Sequence, residues 1–371
     1  MAMRAQDNTN NMNNLISECL ADWLDDHAEA LDQTASSGQG LLRMLGAEGL
    51  LQVGVPERRG GTGGKVSQAI GIVAALAEHS LSAAFVFWAQ RGVIECLLLS
   101  PNSGLADELL PQLMEGSMAA APGLSNAMRT LSGFDRLHVQ YGPAADASIL
   151  SGEVAWATNL APGGITLAVA GPIDGQGCPA LYAVPGDAAG VDISLTTELM
   201  GLRGSRTGRV RFDSVRLSDR WCLHADARII LPMLRPAFLA LQCGWGLGLA
   251  RASLRVARRS SEAVSSILMH EIEQLEHALA TYWHELSEGT DSGRLLSEPA
   301  SLFGLRLQMV ELASRAVQLE LQALGGRAYS PNDGAGFARR WRESAFLPIV
   351  TPTAVHLKTE LARTGTVPGR H

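Results

Sequence analysis

At 371 residues the chain exceeds what one hydrophobic core supports, so two or three sub-domains are expected. With 46% hydrophobic and 18% charged residues it is not an intrinsically disordered protein. A net charge of −7 excludes a general nucleic-acid binder, because phosphate affinity needs clustered Lys and Arg and the basic stretches here, Arg251–Arg259 and Arg339–Arg342, are local.

Residues 1–14 are polar, lack an apolar signal core and read as disordered. Leu15, Ile16, Cys19, Leu20, Trp23 and Leu24 then recur at helical spacing, with acidic residues on the other side. A second helix over Gly40–Gly49 leads to Pro56 and the glycine-rich run Arg58–Gly64. No strand precedes that run and no Gly-Lys-Ser/Thr follows it, so it reads as a linker, not a phosphate-binding loop. Val66–Glu78 and Leu81–Leu99 predict helices buried on several sides. Their apolar runs, such as Ala83–Val86 and Cys96–Leu99, read as too short and interrupted to span a bilayer. Asp107–Glu115 closes an all-helical domain, residues 15–117.

From Met118 short runs at Leu137–Tyr141, Ala147–Ser151, Ile165–Ala170, Ala180–Val184 and Val191–Leu195 are separated by Gly, Pro, Asp and Asn. Arg209–Asp213 and Ser214–Leu217 alternate with period two. These predict a small β-barrel or sandwich over residues 118–224. Within it, Trp156-Ala-Thr158-Asn159 ends a strand and offers an aromatic face, a hydroxyl and an amide. That suits either a flat hydrogen-bonding cofactor or a buried strand-end Trp before a Thr-Asn turn.

Arg228–Arg259, Ser265–Glu288, Ser301–Ala323 and Gly336–Arg363 read as four long helices, the last broken at Pro348 and Pro352. They predict an antiparallel bundle over residues 225–371. Gly244, Gly246 and Gly248 mimic a dinucleotide fingerprint but lie inside a helical run, so close helix packing explains them. His270, His277 and His284 stand seven apart, about 10 Å along a helix, and do not converge on a metal. The five cysteines show no CxxC or Cys/His spacing, so no metal site or disulfide framework is supported and a reducing cytoplasm is expected. Gly-Leu-Ser125-Asn lacks a nucleophile-elbow pattern.

The order helical domain, β domain, helical bundle, with Trp156-Ala-Thr158-Asn159 in the middle, resembles the acyl-CoA dehydrogenase superfamily of flavoproteins over about Leu15–Arg363. Leu51–Gly64 looks like the loop after that family's second helix. Met200-Gly-Leu-Arg203-Gly-Ser205-Arg-Thr207 matches its Met-Gly-x-Arg-x-Ser-x-Thr. Gln322-Ala-Leu-Gly325-Gly326-Arg-Ala-Tyr329 and Arg339–Glu343 match its Leu-Gly-Gly-x-Gly-Tyr and Arg-Asp segments. The resemblance implies an α+β multi-domain fold and an FAD cofactor. It places Thr158 near flavin N5, Trp156 beside the ring and Leu124-Ser125 at the pyrimidine edge. Gln322, Gly325 and Gly326 would reach the FAD of a neighbouring subunit, which implies a homodimer or homotetramer. The implied reaction is α,β-dehydrogenation of an acyl-CoA or similar thioester, of the kind found in fatty acid metabolism, with an electron-transfer protein or oxygen as acceptor. No nucleic acid and no membrane span enter this reading.

The sequence also departs from the family. Proton removal next to a thioester needs a carboxylate base, and Thr351 occupies the usual Glu position. The family's other position for the base falls near Arg235 or Phe238. Glu343 replaces a structural Asp, and Glu360 lies past the motif. The Arg-x-Phe-Gly of the family is not evident after Arg259. Two alternatives follow. One is a reduced-flavin monooxygenase on the same fold, with His356 as a proton donor or an ordinary surface residue. The other is a non-catalytic paralogue.

Overall fold

Ser17 starts the first helix: its hydroxyl accepts the Leu20 N–H at 3.1 Å, and α1 runs Glu18–Gln33. The computed structural model describes residues 15–261, 266–330, 334 and 336–365. The N-terminus read as disordered and residues 262–265, in the segment where the family's Arg-x-Phe-Gly was sought, lie outside the described residues. A short α2 (Leu41–Ala47) leads into the glycine-rich turn, which carries no strand before it. The helical unit then continues with α3 (Val66–His79), α4 (Leu81–Leu99) and α5 (Ser103–Met114). Ser80 and Asn102 cap α4 and α5 through their side chains.

The central strands are β1 (Ala120–Pro122), β2 (Val139–Ala144), β3 (Ala147–Ala157), β4 (Ile165–Pro172), β5 (Ala180–Pro185), β6 (Val191–Leu195), β7 (Gly208–Ser218) and β8 (Cys222–His224), with helix α6 (Ser125–Leu131) after β1. They form one mixed sheet in the order β6-β7-β3-β2-β4-β5-β8, with β1 paired parallel to β4. β4 is buried along six consecutive residues because both of its faces are covered. Ile165, Leu167 and Val169 join the core shared with the helices, and Ala168 and Ala170 join a second core on the opposite face.

The C-terminal part contains α7 (Ala227–Ser261), α8 (Ser266–Asp291), α9 (Arg294–Ser297), α10 (Pro299–Leu324), α11 (Phe337–Phe346) and α12 (Ala354–Arg363). Three helices are long; the fourth expected one is two short helices, α11 and α12, on either side of a turn carrying Pro348 and Pro352. Gly244, Gly246 and Gly248 lie mid-way along α7. A Cβ on Gly248 would stand 2.1 Å from Ala74 O of α3, and one on Gly246 would stand 2.8 Å from Met309 O of α10. These glycines let the backbones of α7, α3 and α10 meet. His270, His277 and His284 are exposed on α8.

The reading of the apolar runs needs correction. Leu81–Leu99 and Ala227–Ser260 are each long and apolar enough to cross a membrane by length and composition. Here they are core helices, and the apolar window of the first is 94% buried inside the protein. Their high apolar content follows from helices packing on them from several sides.

Candidate active site

The Trp-Ala-Thr-Asn stretch sits at the end of β3, where pairing with β7 is irregular. Val154 faces Val210 and Ala157 faces Gly208, so β3 holds one extra residue. Such a bulge turns a side chain away from its regular direction. Trp156 lies at this irregularity and is 54% exposed, an unusual position for an indole. Thr158 is buried, and its hydroxyl lies 2.9 Å from that of Thr207, which lies 2.8 Å from that of Ser205. Three hydroxyls from two sequence-distant segments form one connected row.

The Met200–Thr207 segment is shaped by two residues in the left-handed region, Leu202 (φ 56°) and Arg206 (φ 53°). Asp32, at the end of α1, holds it by accepting the Leu202 N–H at 2.8 Å. Asp32 also accepts Arg342 Nε at 2.8 Å, so α1, the β domain and α11 converge on one buried carboxylate. A Cβ on Gly201 would lie 2.6 Å from Asp32 Oδ1, which explains the glycine.

Asn159 has a different task from the two residues before it. Its φ is 66°, its N–H donates to Ser205 O, and its amide nitrogen donates to Gln90 Oε1 at 2.9 Å and Ala120 O at 3.1 Å. Buried Gln90 of α4 in turn donates to Leu113 O and Met118 O. The amide that looked available to a cofactor is consumed in tying β3 to β1 and α4. Asn159 positions Thr158 and does not line the cavity.

Around Trp156, Thr158, Ser205 and Thr207 lies a cavity of about 450 Å³, whose lining also includes Ser125 and Met128 of α6. Its other wall is made of Phe85 and Trp88 from α4, Phe238 from α7 and Phe346 from α11. Trp88 and Phe238 rings lie 4.5 Å apart, and Trp88 Nε1 donates to Phe238 O at 3.1 Å. Arg342 is the charged residue among the described lining residues, and Asp32 and Glu29 pair with it. No Asp or Glu is present among the described residues of the lining. Thr351 is there, followed by a cis bond to Pro352, and Gln242 Nε2 donates to its carbonyl at 3.0 Å.

The remaining carboxylate candidates are occupied elsewhere. Glu343 is buried, accepts the Leu81 N–H at 3.1 Å and pairs with Arg339 at 2.8 Å; burial pushes its pKa up. Glu360, on α12, is outside the cavity lining and binds Ser132, Arg235 and His356. Burial pulls its pKa up, but the hydrogen bonds from His356 and Ser132 and the Arg235 charge prevail and hold it at about 2. His356 is neither a surface residue nor a cavity residue. It is buried, with Nε2 2.8 Å from Glu360 Oε1 and its ring 4.7 Å from that of Phe134.

The first 117 residues carry the sequence pattern described as "Acyl-CoA dehydrogenase, N-terminal domain", matched over residues 6–117. Over 358 residues the chain is 25% identical to the probable acyl-CoA dehydrogenase YngJ of Bacillus subtilis, covering 91% of this chain and 92% of that protein. Sequence similarity to acyl-CoA dehydrogenases therefore extends over nearly the whole chain. Among solved structures, the butyryl-CoA dehydrogenase of Megasphaera elsdenii superposes with a TM-score of 0.82 at 18% identity, over 97% of both chains. The glutaryl-coenzyme A dehydrogenase complex with glutaryl-CoA superposes at 0.81 and 18%, over 100% of this chain and 96% of that one. At such identities these two likenesses speak for the fold alone.

Within this fold, Ser125, Trp156 and Thr158 line one cavity. Leu124 is buried behind it, outside the lining. Gln322, Gly325 and Gly326 are exposed where α10 ends and are not part of the cavity of their own chain. Gly325 has a φ of 56° at the helix C-cap, a conformation glycine adopts without strain. Sequence reasoning passed over Asp32, Gln90 and Gln242, polar residues inside helical patterns that no local motif distinguishes from surface positions.

Proposed function

We propose that this protein is an FAD-dependent oxidoreductase acting on an acyl thioester, acyl-CoA or a close analogue. The cavity carries the reading: a row of neutral hydroxyls beside an exposed indole on one side, and an aromatic wall on the other. Those residues fit an isoalloxazine, which takes directional hydrogen bonds at its edge and an aromatic surface against its face. FAD, when bound, supplies a hydride acceptor at N5. Thr158, Thr207 and Ser205 would supply hydrogen bonds to the ring edge, Trp156 would supply an aromatic surface, and Phe85, Trp88, Phe238 and Phe346 would exclude water from the cavity.

The finer reading is α,β-dehydrogenation with hydride transfer to flavin N5. The similarity to a probable acyl-CoA dehydrogenase of Bacillus subtilis supports it. Proton removal is then left to a wall without a carboxylate, so the substrate must bring an acidic α-proton. A second reading, reduced-flavin monooxygenation, is favoured by the same wall, since it needs no carboxylate base. The exposed residues Gln322, Gly325 and Gly326 support a homodimer or homotetramer in which they approach the cofactor of a second copy. An electron-transfer protein or oxygen would reoxidise the flavin. The five free cysteines favour a cytoplasmic setting.

The purified protein should be yellow, with a flavin absorption spectrum. Bleaching by acyl-CoA without oxygen identifies a dehydrogenase. Lack of bleaching, combined with oxygen-dependent conversion of the thioester when a flavin reductase is supplied, identifies the monooxygenase. A protein that takes up no flavin defeats both enzyme readings and leaves a non-catalytic paralogue.

A further inference from the structure

Arg306, on α10, is 1% exposed, and no carboxylate among the described residues pairs with it. Other buried arginines each have one: Arg91 has Glu95, Arg339 has Glu343 and Arg340 has Glu320. The donors of Arg306 go to neutral oxygens instead. Nη2 donates to Leu347 O at 2.9 Å, Nε donates to Gln242 Oε1 at 3.3 Å, and Nη1 is buried without a partner. Gln242 then donates to Thr351 O at 3.0 Å. The charge therefore stands directly behind the turn from Leu347 to Thr351, which supplies Ile349, Val350 and Thr351 to the cavity wall.

A buried cation without a counter-charge carries an uncompensated desolvation cost, and stability alone would be better served by an apolar side chain. Burial accordingly weakens the hold of Arg306 on its proton. A negative charge arriving in the cavity would supply the missing partner, and the low dielectric around Arg306 strengthens that attraction. The polarised amide of Gln242 and the carbonyls of Leu347 and Thr351 connect the charge to the wall.

We propose that Arg306 is a specificity-determining positioning residue whose uncompensated charge makes the wall at Thr351 select the anionic form of an acyl thioester. The thioester binds there as its enolate in preference to the neutral form, its proton having passed to solvent. The ligand class rests on the function proposed above; the charge itself does not.

Two measurements on the full-length protein separate these points. Thr351→Glu installs a carboxyl on the wall, and its titration is followed by NMR with ¹³C-labelled glutamate. With Arg306 or with Arg306→Lys, that carboxyl should titrate about one pH unit or more below its value with Arg306→Met, a tenfold change in ionised fraction. Arg306→Gln replaces the Met variant if the latter does not fold. A hydrogen-bonding role alone predicts that Lys, which lacks the planar fork, behaves like Met. A titration indifferent to the charge at residue 306 overturns the proposal.

In protein with Thr351 intact, acetoacetyl-CoA is the probe, its enolate followed by ultraviolet absorption. The bound ligand should be about tenfold more ionised with Arg306 or Arg306→Lys than with Arg306→Met. Equal ionisation overturns the selectivity. Failure of acetoacetyl-CoA to bind the unmodified protein overturns the ligand class and the thioester reading together, while the carboxyl titration still decides the charge.

Discussion

A threonine hydroxyl remains protonated at neutral pH and does not abstract a proton from carbon, so residue 351 separates binding from chemistry at this site. Thr351→Glu should raise anaerobic exchange of the α-proton of an acyl-CoA into D₂O by about 10²-fold or more, the usual contribution of a general base. Proton NMR of the thioester checks this, and an unchanged rate would mean that the wall at 351 does not face the α carbon. Thr158 invites the opposite experiment. Thr158→Val removes one hydroxyl from a row of three and leaves Thr207 and Ser205 in place. Loss of a hydrogen bond at this level costs about 1 kcal/mol, so FAD binding should weaken roughly fivefold in a fluorescence titration.

Among the elements, α7 does most to shape the molecule, and its glycines make that possible. Gly248→Ala would force a methyl to 2.1 Å from Ala74 O, a backbone atom that cannot yield without moving α3. The expected loss is about 1–3 kcal/mol or more, read as a lower midpoint in urea unfolding. Gly304, on α10, provides the control, because a Cβ there meets nothing within 4 Å. Gly304→Ala should stabilise the protein by about 0.5–1 kcal/mol through helix propensity alone. If both substitutions shifted the midpoint alike, close packing would not be the reason for the α7 glycines. The glycine repeat was legible from its helical setting, but the α3 and α10 backbones it meets were not. Nothing in the local sequence marks which helix lies opposite.

For the whole molecule, two carboxylates join units that are distant in sequence. Asp32 joins α1 to Met200–Thr207 and to Arg342. Asp32→Asn leaves Arg342 with the exposed Glu29 as its remaining counter-charge and should cost about 1–3 kcal/mol, measured by calorimetry. Glu360 joins α12 to α7 through Arg235 and to the segment after α6 through Ser132. Its carboxyl is held at about 2, below the ordinary 4.5, so its stabilisation is fully present above about 4.5 and disappears as pH falls through about 2. Glu360→Gln should therefore destabilise the protein at pH 7 by up to roughly 3 kcal/mol, with the difference from wild type shrinking over that window. Urea unfolding at pH 7, 4 and 3 measures the difference, and a constant gap would show that the carboxylate charge is not what holds α12.

The sequence by itself determined the succession of helices, strands and helices, because burial periodicity is written residue by residue along each element. It also pointed to Trp156, Thr158 and Ser125, since short motifs with directional side chains stand out from their surroundings. Only the tertiary structure decided that Asn159 is structural, that His356 is buried in an ion-pair network, and that Arg306 stands behind Thr351 without a carboxylate. Those roles depend on partners 69 residues away for Gln90 and 64 for Gln242. Hydrogen bonding and desolvation act over a few ångströms in space, and sequence spacing carries no record of which distant side chains fold into that range.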